Sequence, residues 1–226
     1  MAAKKRGVLI VNLGSPEFLT VWSVRRFLKQ FLSDPRVVNL PRKLWWVILN
    51  GFILPFRPFK SVRAYREIWT EQGSPLIVFT QSLVQKLVRH YKEDSLVDVK
   101  MAMSYGKPSL RKQLRAFKQA EVEQLIVIPL YPQYSSTTTA SVFDAVTQEL
   151  QQWRAIPEFN FVSDYHDNSL YIKAIASSIQ QAWQKSAKAE LLLMSFHGLP
   201  EQLTKWGDPY FKQCHQSAEL IAESLG

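Results

Sequence analysis

Five short apolar runs, each followed by a stretch of helical period, constrain this chain more than any other feature. They are GVLIVNLG, VDVKMAMSYG (97–106), QLIVIPLYP (124–132), FNFVSDYH (159–166) and LLLMSFHG. Runs this short and this continuous fit strands buried on both faces, as in a parallel sheet covered by helices. Between them the period lengthens. Val21, Val24, Leu28 and Phe31 recur at helical spacing, as do Leu83, Val84, Leu87 and Val88, and then Ile172, Ile175, Ile179 and Ala182. Further helices are expected over 108–120, with proline in the first turn, after the Ser/Thr cluster that follows Tyr134, and over 208–225, where Gly226 stands as a stop. Leu40 to Phe59, rich in Trp and Pro, reads as partly helical. The expected class is α/β with parallel sheets flanked by helices. AIPEF (155–159) is the best boundary, giving domains 1–155 and 156–226. Beyond it only Phe159–Ser163 and Leu191–Phe196 remain as strands, so either they join the first sheet or the second domain is incomplete.

Composition narrows the classes. A 226-residue chain with 46% hydrophobic and 12% aromatic residues can bury a proper core. Its one cysteine, Cys214, permits neither an intrachain disulfide nor a Cys-rich metal site. After the charged start the apolar run is only Val8–Val11, too short for a secretory signal, so a cytoplasmic protein is expected. The segment Leu44–Phe56 contains Asn50, Gly51 and Pro55 and is too short to span a bilayer. Residues 1–120 hold 22 Lys and Arg against 7 Asp and Glu, whereas 121–226 hold 6 against 12. A basic half suits a polyanion, a lipid surface or an acidic small molecule; solvated helix faces explain the same charges equally well.

In open parallel sheets, ligands bind beyond the carboxyl ends of the strands. Those ends carry Asn12 to Ser15, Ser104-Tyr105-Gly106, Tyr131 to Ser135, Asp164-Tyr165-His166 and His197-Gly198. The set is rich in tyrosine and poor in glycine, and NLGSPE has one glycine where a dinucleotide fingerprint needs three. His197 is the sharpest candidate: an imidazole at a strand end, before a glycine, can take a proton or hold a metal ion. His166 is the lesser candidate, and His90 and the adjacent Cys214–His215 pair are weak ones. YPQYSSTTTAS offers phenols and hydroxyls to an anion or a flat ring, or simply caps a helix. The segment 40–60 sets apolar bulk beside Arg42, Lys43, Arg57 and Lys60, which suits an amphiphilic acid or an anionic membrane.

Taken together, SFHGLP, YPQYSSTTTAS, GDPY (207–210), VLIVNLGSPE and QGSPL (72–76) occur in the order and spacing of the ferrochelatases, and the chain resembles that family along essentially its whole length. The resemblance implies two Rossmann-like, chelatase-like domains and insertion of Fe²⁺ into protoporphyrin IX to give protohaem, the last step of haem synthesis. It places His197 as proton acceptor, iron ligand or both, and Tyr105 as a catalytic, cleft-lining residue. It assigns Leu13, Arg57, Ser74 and Tyr131 to the porphyrin, and 40–60 to a lip in peripheral contact with the inner face of the cell membrane. No resident cofactor is implied: Fe²⁺ is substrate, and one cysteine cannot build an iron–sulfur cluster. No nucleic-acid partner is expected. The family's later motifs, including a glutamate facing the histidine, are not found in these 226 residues, so the second domain is expected to lack strands. A chelatase for another metal or tetrapyrrole, and a non-catalytic tetrapyrrole-binding module, are the alternatives.

Overall fold

The computed structural model describes residues 4–186 and 190–226. They fall into two compact units, one formed by residues up to 130 together with 140–162, the other by 131–139 and 163–226.

The first unit is built on a four-stranded sheet in the order β2-β1-β3-β4, with every pairing parallel. The strands are β1 (Arg6–Asn12), β2 (Val97–Met103), β3 (Gln124–Pro129) and β4 (Glu158–Phe161). Arg6 is level with Val97 and with Gln124, and Gln124 with Glu158. Their carboxyl ends therefore share one edge. Leu9, Ile10 and Val11 of the central β1 are fully buried, each side chain worth about 1.5–3 kcal/mol of burial.

Helices α1 (Val21–Leu32), α4 (Pro75–His90), α5 (Leu110–Gln119) and α6 (Thr139–Leu150) accompany the sheet in this unit. Alternation along β1 sorts two of them. Val8 and Ile10 pack with Val84 and Leu87 of α4, whereas a side chain at Gly7 would lie 2.9 Å from the Phe117 ring of α5. The two helices thus cover opposite faces, and the missing Cβ at position 7 lets α5 sit close. Capping follows the sequence: Thr20 accepts from the Ser23 amide and Ser109 from the Lys112 amide. Pro108 therefore precedes the cap of α5 rather than opening its first turn.

Between α1 and α4 the chain forms α2 (Arg42–Ile48), a π-helical turn (Leu49–Ile53) and α3 (Leu54–Ile68). Leu49, Leu54 and Val62 are buried with Val24, Phe27, Leu28 and Leu32 of α1 in a second core. Trp45, Ile53 and Tyr65 pack against it, whereas Trp46, Phe52, Phe56 and Phe59 are turned to solvent. No helix among the described residues is long and apolar enough to cross a membrane.

The second unit contains α7 (Ser169–Ser186), α8 (Glu201–Lys205) and α9 (Tyr210–Leu225), with the loop 131–139. Two expectations change here. β4 adds to the first sheet, so the units part after Val162 rather than at 155. The expected strand Leu191–Phe196 does not form: the described residues offer it no neighbouring strand, and Leu191 and Leu193 are 71% and 83% exposed. A strand needs a ladder partner to satisfy its backbone, and apolar composition alone does not supply one. The helix α8, too short to leave a periodic signature, was not expected.

Candidate active site

At the carboxyl edge of the first sheet, the loops after β1 and β2 continue the strand pairing. The Ser104 amide donates to Asn12 O at 2.9 Å and the Tyr105 amide to Leu13 O at 3.0 Å. Gly14 makes this approach possible: its φ is +102°, and a Cβ there would lie 1.8 Å from the Tyr105 carbonyl oxygen. Leu13 packs against the core that holds Tyr105. Asn12 is fixed in turn, its amide donating to Thr80 Oγ1 on α4.

Tyr105 itself is buried. Its hydroxyl donates to Asp34 Oδ2 at 2.7 Å and lies 3.0 Å from Ser141 Oγ, which also donates to Asp34. Its ring meets Phe31 edge-on, 5.2 Å between centroids. The phenol proton is thus already held by a carboxylate, and the ring is packed within the core. Neither Asp34 nor Ser141 stands out in the sequence, because their partner lies 71 and 36 residues away.

Ser74 is buried at the start of α4, and its side chain makes no capping bond there. Arg57 is exposed on α3, two turns before Tyr65; burial pushes the Tyr65 phenol up and the Arg57 charge draws it back down. Leu13 and Tyr105 are thus brought together, while Arg57 and Ser74 sit on α3 and α4.

In the second unit, Tyr131 opens a loop that α9 holds from several points. The Tyr134 backbone amide donates to Gln213 Oε1 at 2.6 Å, and Gln133 Nε2 to Ser217 Oγ at 2.9 Å. Asp208, in the GDPY turn, takes three hydrogen bonds on Oδ2: from the Ser136 amide and hydroxyl, both at 2.7 Å, and from Ser135 Oγ at 3.1 Å.

The histidines separate sharply. His166 is buried, with Nδ1 2.7 Å from Asp164 Oδ1 and Nε2 3.0 Å from Gln216 Oε1, so both ring nitrogens are engaged. Its ligating atoms, with those of Asp164 and Asp167, lie within 4.8 Å of one another. A metal ion there would have to displace bonds already made. His197, by contrast, is exposed on an irregular segment and lines a cavity of about 780 Å³ with Phe196, Leu203, Tyr210, Phe211 and Cys214. Burial pushes the Tyr210 phenol up to about 12, and hydrogen bonding to Cys214 adds to this. The Cys214 thiol is likewise pushed up by burial, so at neutral pH it is a thiol rather than the thiolate a soft metal wants.

A parallel sheet flanked by helices in the first unit, and in the second an exposed imidazole lining an aromatic and apolar cavity, make an α/β protein consistent with a chelatase-type fold. The ferrochelatase family model matches residues 5–226. The ferrochelatase of Nitrosococcus oceani is 47% identical over 221 residues, covering 97% of this chain and 60% of that protein. Those of Methylococcus capsulatus and Alcanivorax borkumensis are 49% and 46% identical, with 99% of this chain covered and 67% and 66% of theirs. The chain belongs to the ferrochelatase family, and spans 60–67% of the length of these relatives.

Proposed function

We propose that this chain inserts Fe²⁺ into protoporphyrin IX, giving protohaem and releasing the two pyrrole protons, with His197 as proton acceptor, iron ligand or both. The observation that carries the reading is the contrast between the histidines: His197 in the family motif is open to a cavity with aromatic walls, whereas His166 is committed within the fold. A porphyrin is a flat apolar ring with two carboxylates. It calls for apolar and aromatic contacts from Leu13, Tyr105 and Tyr131, and for a cation and a hydroxyl at its acidic edge, the parts given to Arg57 and Ser74. A general base on one face of the ring is worth about 10²–10⁴ in rate. The reaction so written needs no resident cofactor, since iron enters as substrate.

The test is an anaerobic titration of protoporphyrin with and without Fe²⁺, followed in the visible spectrum. Metallation by the protein that is lost in His197→Ala, while the porphyrin still binds, is the expected result. Metallation at an unchanged rate in that variant would refute the role of His197. Binding without metallation by the unaltered protein would leave a tetrapyrrole-binding module in its place.

The segment 40–60 is proposed as the surface that meets the membrane. Its support is the run of exposed Trp46, Val47, Phe52, Phe56 and Phe59 flanked by Arg42, Lys43, Arg57 and Lys60.

A further inference from the structure

One helix supplies much of the wall of the cavity in the second unit. Among the described residues lining its volume of about 780 Å³, Tyr210, Phe211, Cys214, His215 and Ala218 all come from α9. At about 100° per residue, the last four fall within roughly 100° of arc, and they extend about 10 Å along the helix axis. They form a single stripe, while Gln213 and Ser217 lie outside it.

The other side of the helix fixes this rotation. Gln213 Oε1 accepts from the Tyr134 backbone amide at 2.6 Å, and Ser217 Oγ accepts from Gln133 Nε2 at 2.9 Å while donating to His166 O at 2.8 Å. Gln213 and Ser217 are both buried, so turning α9 about its axis would strand these polar groups without partners. The stripe therefore stays towards the cavity. Its own chemistry suits a flat apolar guest. The Phe211 and His215 rings pack together, 4.6 Å between centroids and tilted by 59°, and Phe211 is 62% exposed. Burial pushes the Cys214 thiol up, so it stays neutral. The stripe holds no carboxylate, ammonium or guanidinium group. What it admits is thus decided by shape, and Ala218 is its smallest side chain.

We propose that this face of α9 is a wall of the porphyrin site and that Ala218 determines how large a ring periphery the site accepts. The proposal rests on reading this cavity as the place of metallation, and it names the side chain that limits the substrate there. A larger residue at 218 takes up space that the substituents of the ring require, whereas bulk added elsewhere on α9 takes none.

Ala218→Leu adds three carbons on the cavity side of α9; Glu219→Leu adds similar bulk at an exposed position outside the cavity lining. Fluorescence titrations without iron give dissociation constants for protoporphyrin and for deuteroporphyrin, which carries hydrogen in place of the two vinyl groups. Ala218→Leu should weaken protoporphyrin binding about 10-fold or more and deuteroporphyrin binding less than about threefold. Glu219→Leu should leave both within about twofold. Phe211→Ala, at an exposed position, should weaken both about fivefold through loss of its ring. Equal losses for the two porphyrins in Ala218→Leu, or no loss, overturn the proposal. Should that variant fail to fold, unchanged binding by Phe211→Ala overturns it instead. Size-selective binding by a protein that metallates neither porphyrin would sink the proposed function and leave the wall standing. Metallation with unchanged constants in both cavity variants would do the reverse.

Discussion

Glycine shows how differently one substitution can act at two places in this chain. At Gly14 the backbone is left-handed, and an added Cβ would overlap the Tyr105 carbonyl; at Gly51, in the π-helical turn, an added Cβ meets nothing within 4 Å. Gly14→Ala should cost about 2–4 kcal/mol, the sum of an unfavourable φ and a backbone overlap that must be relieved by movement. Gly51→Ala should stabilise by a few tenths to about 1 kcal/mol by stiffening the unfolded chain. Urea midpoints of the two variants decide it, and equal effects would mean that the β1 and β2 loops do not approach as described. Tyr105→Phe belongs to the same scale. Its hydroxyl is spent on Asp34, which keeps Ser141 and the Arg36 amide when the phenol is lost. A loss of about 1–2 kcal/mol in stability is expected, with metallation within a few-fold of the unaltered protein. Metallation abolished at unchanged stability would show that the phenol proton, not the ring, is what the site uses.

Between elements, α5 and α6 are clasped by a charge the sequence does not advertise. Glu149 is buried on α6 and accepts from Arg115 at 2.9 Å and from the Trp153 indole, with Arg111 3.2 Å away. Burial alone would raise its pKa, but the hydrogen bonds from Arg115 and Trp153 and the two guanidinium charges hold it below the ordinary carboxylate value. A carboxyl depressed in the folded state stabilises above its unfolded pKa, near 4.5, and loses that contribution as pH falls through the folded value. Unfolding free energy should therefore fall on acidification below about pH 4.5. Glu149→Gln should flatten that dependence while costing about 1.5–3 kcal/mol at pH 7. Equal acid sensitivity of the two proteins would remove the clasp from the account.

The strands and the helices on the first sheet were legible for the opposite reason to Glu149. Their apolar side chains report burial locally, residue by residue, whereas a paired charge needs a partner 34 residues away. The same local reading failed at Leu191–Phe196, where composition fits a strand but pairing depends on a neighbour. The candidate site divides in the same way. Its motifs marked His197, Tyr131 and GDPY in the sequence, while the bonds joining Asp208 to Ser135 and Ser136 span more than 70 positions and only the fold discloses them.

On the scale of the whole molecule, charge is the property that a single residue does not convey. The net +9 conceals a basic first 120 residues and an acidic remainder. The exposed aromatics of 40–60 lie in the basic part, where Arg42, Lys43, Arg57 and Lys60 flank them. A cation near an anionic bilayer is worth about 1 kcal/mol, so four of them supply roughly 10³-fold in partitioning before any ring is inserted. That contribution decays as the Debye length contracts from about 10 Å at 0.1 M salt to about 3 Å at 1 M, while the apolar one does not. Sedimentation with phosphatidylserine vesicles should accordingly show binding that weakens steeply between these salts but keeps a residual. Phosphatidylcholine vesicles should show the residual alone. Trp46→Glu with Phe56→Glu should sharply reduce the residual and leave the fold intact, because both side chains are mostly exposed. Undiminished vesicle binding by the double variant would move the contact elsewhere on the basic surface. Binding to neither lipid by the unaltered protein would leave the aromatic run to the porphyrin alone.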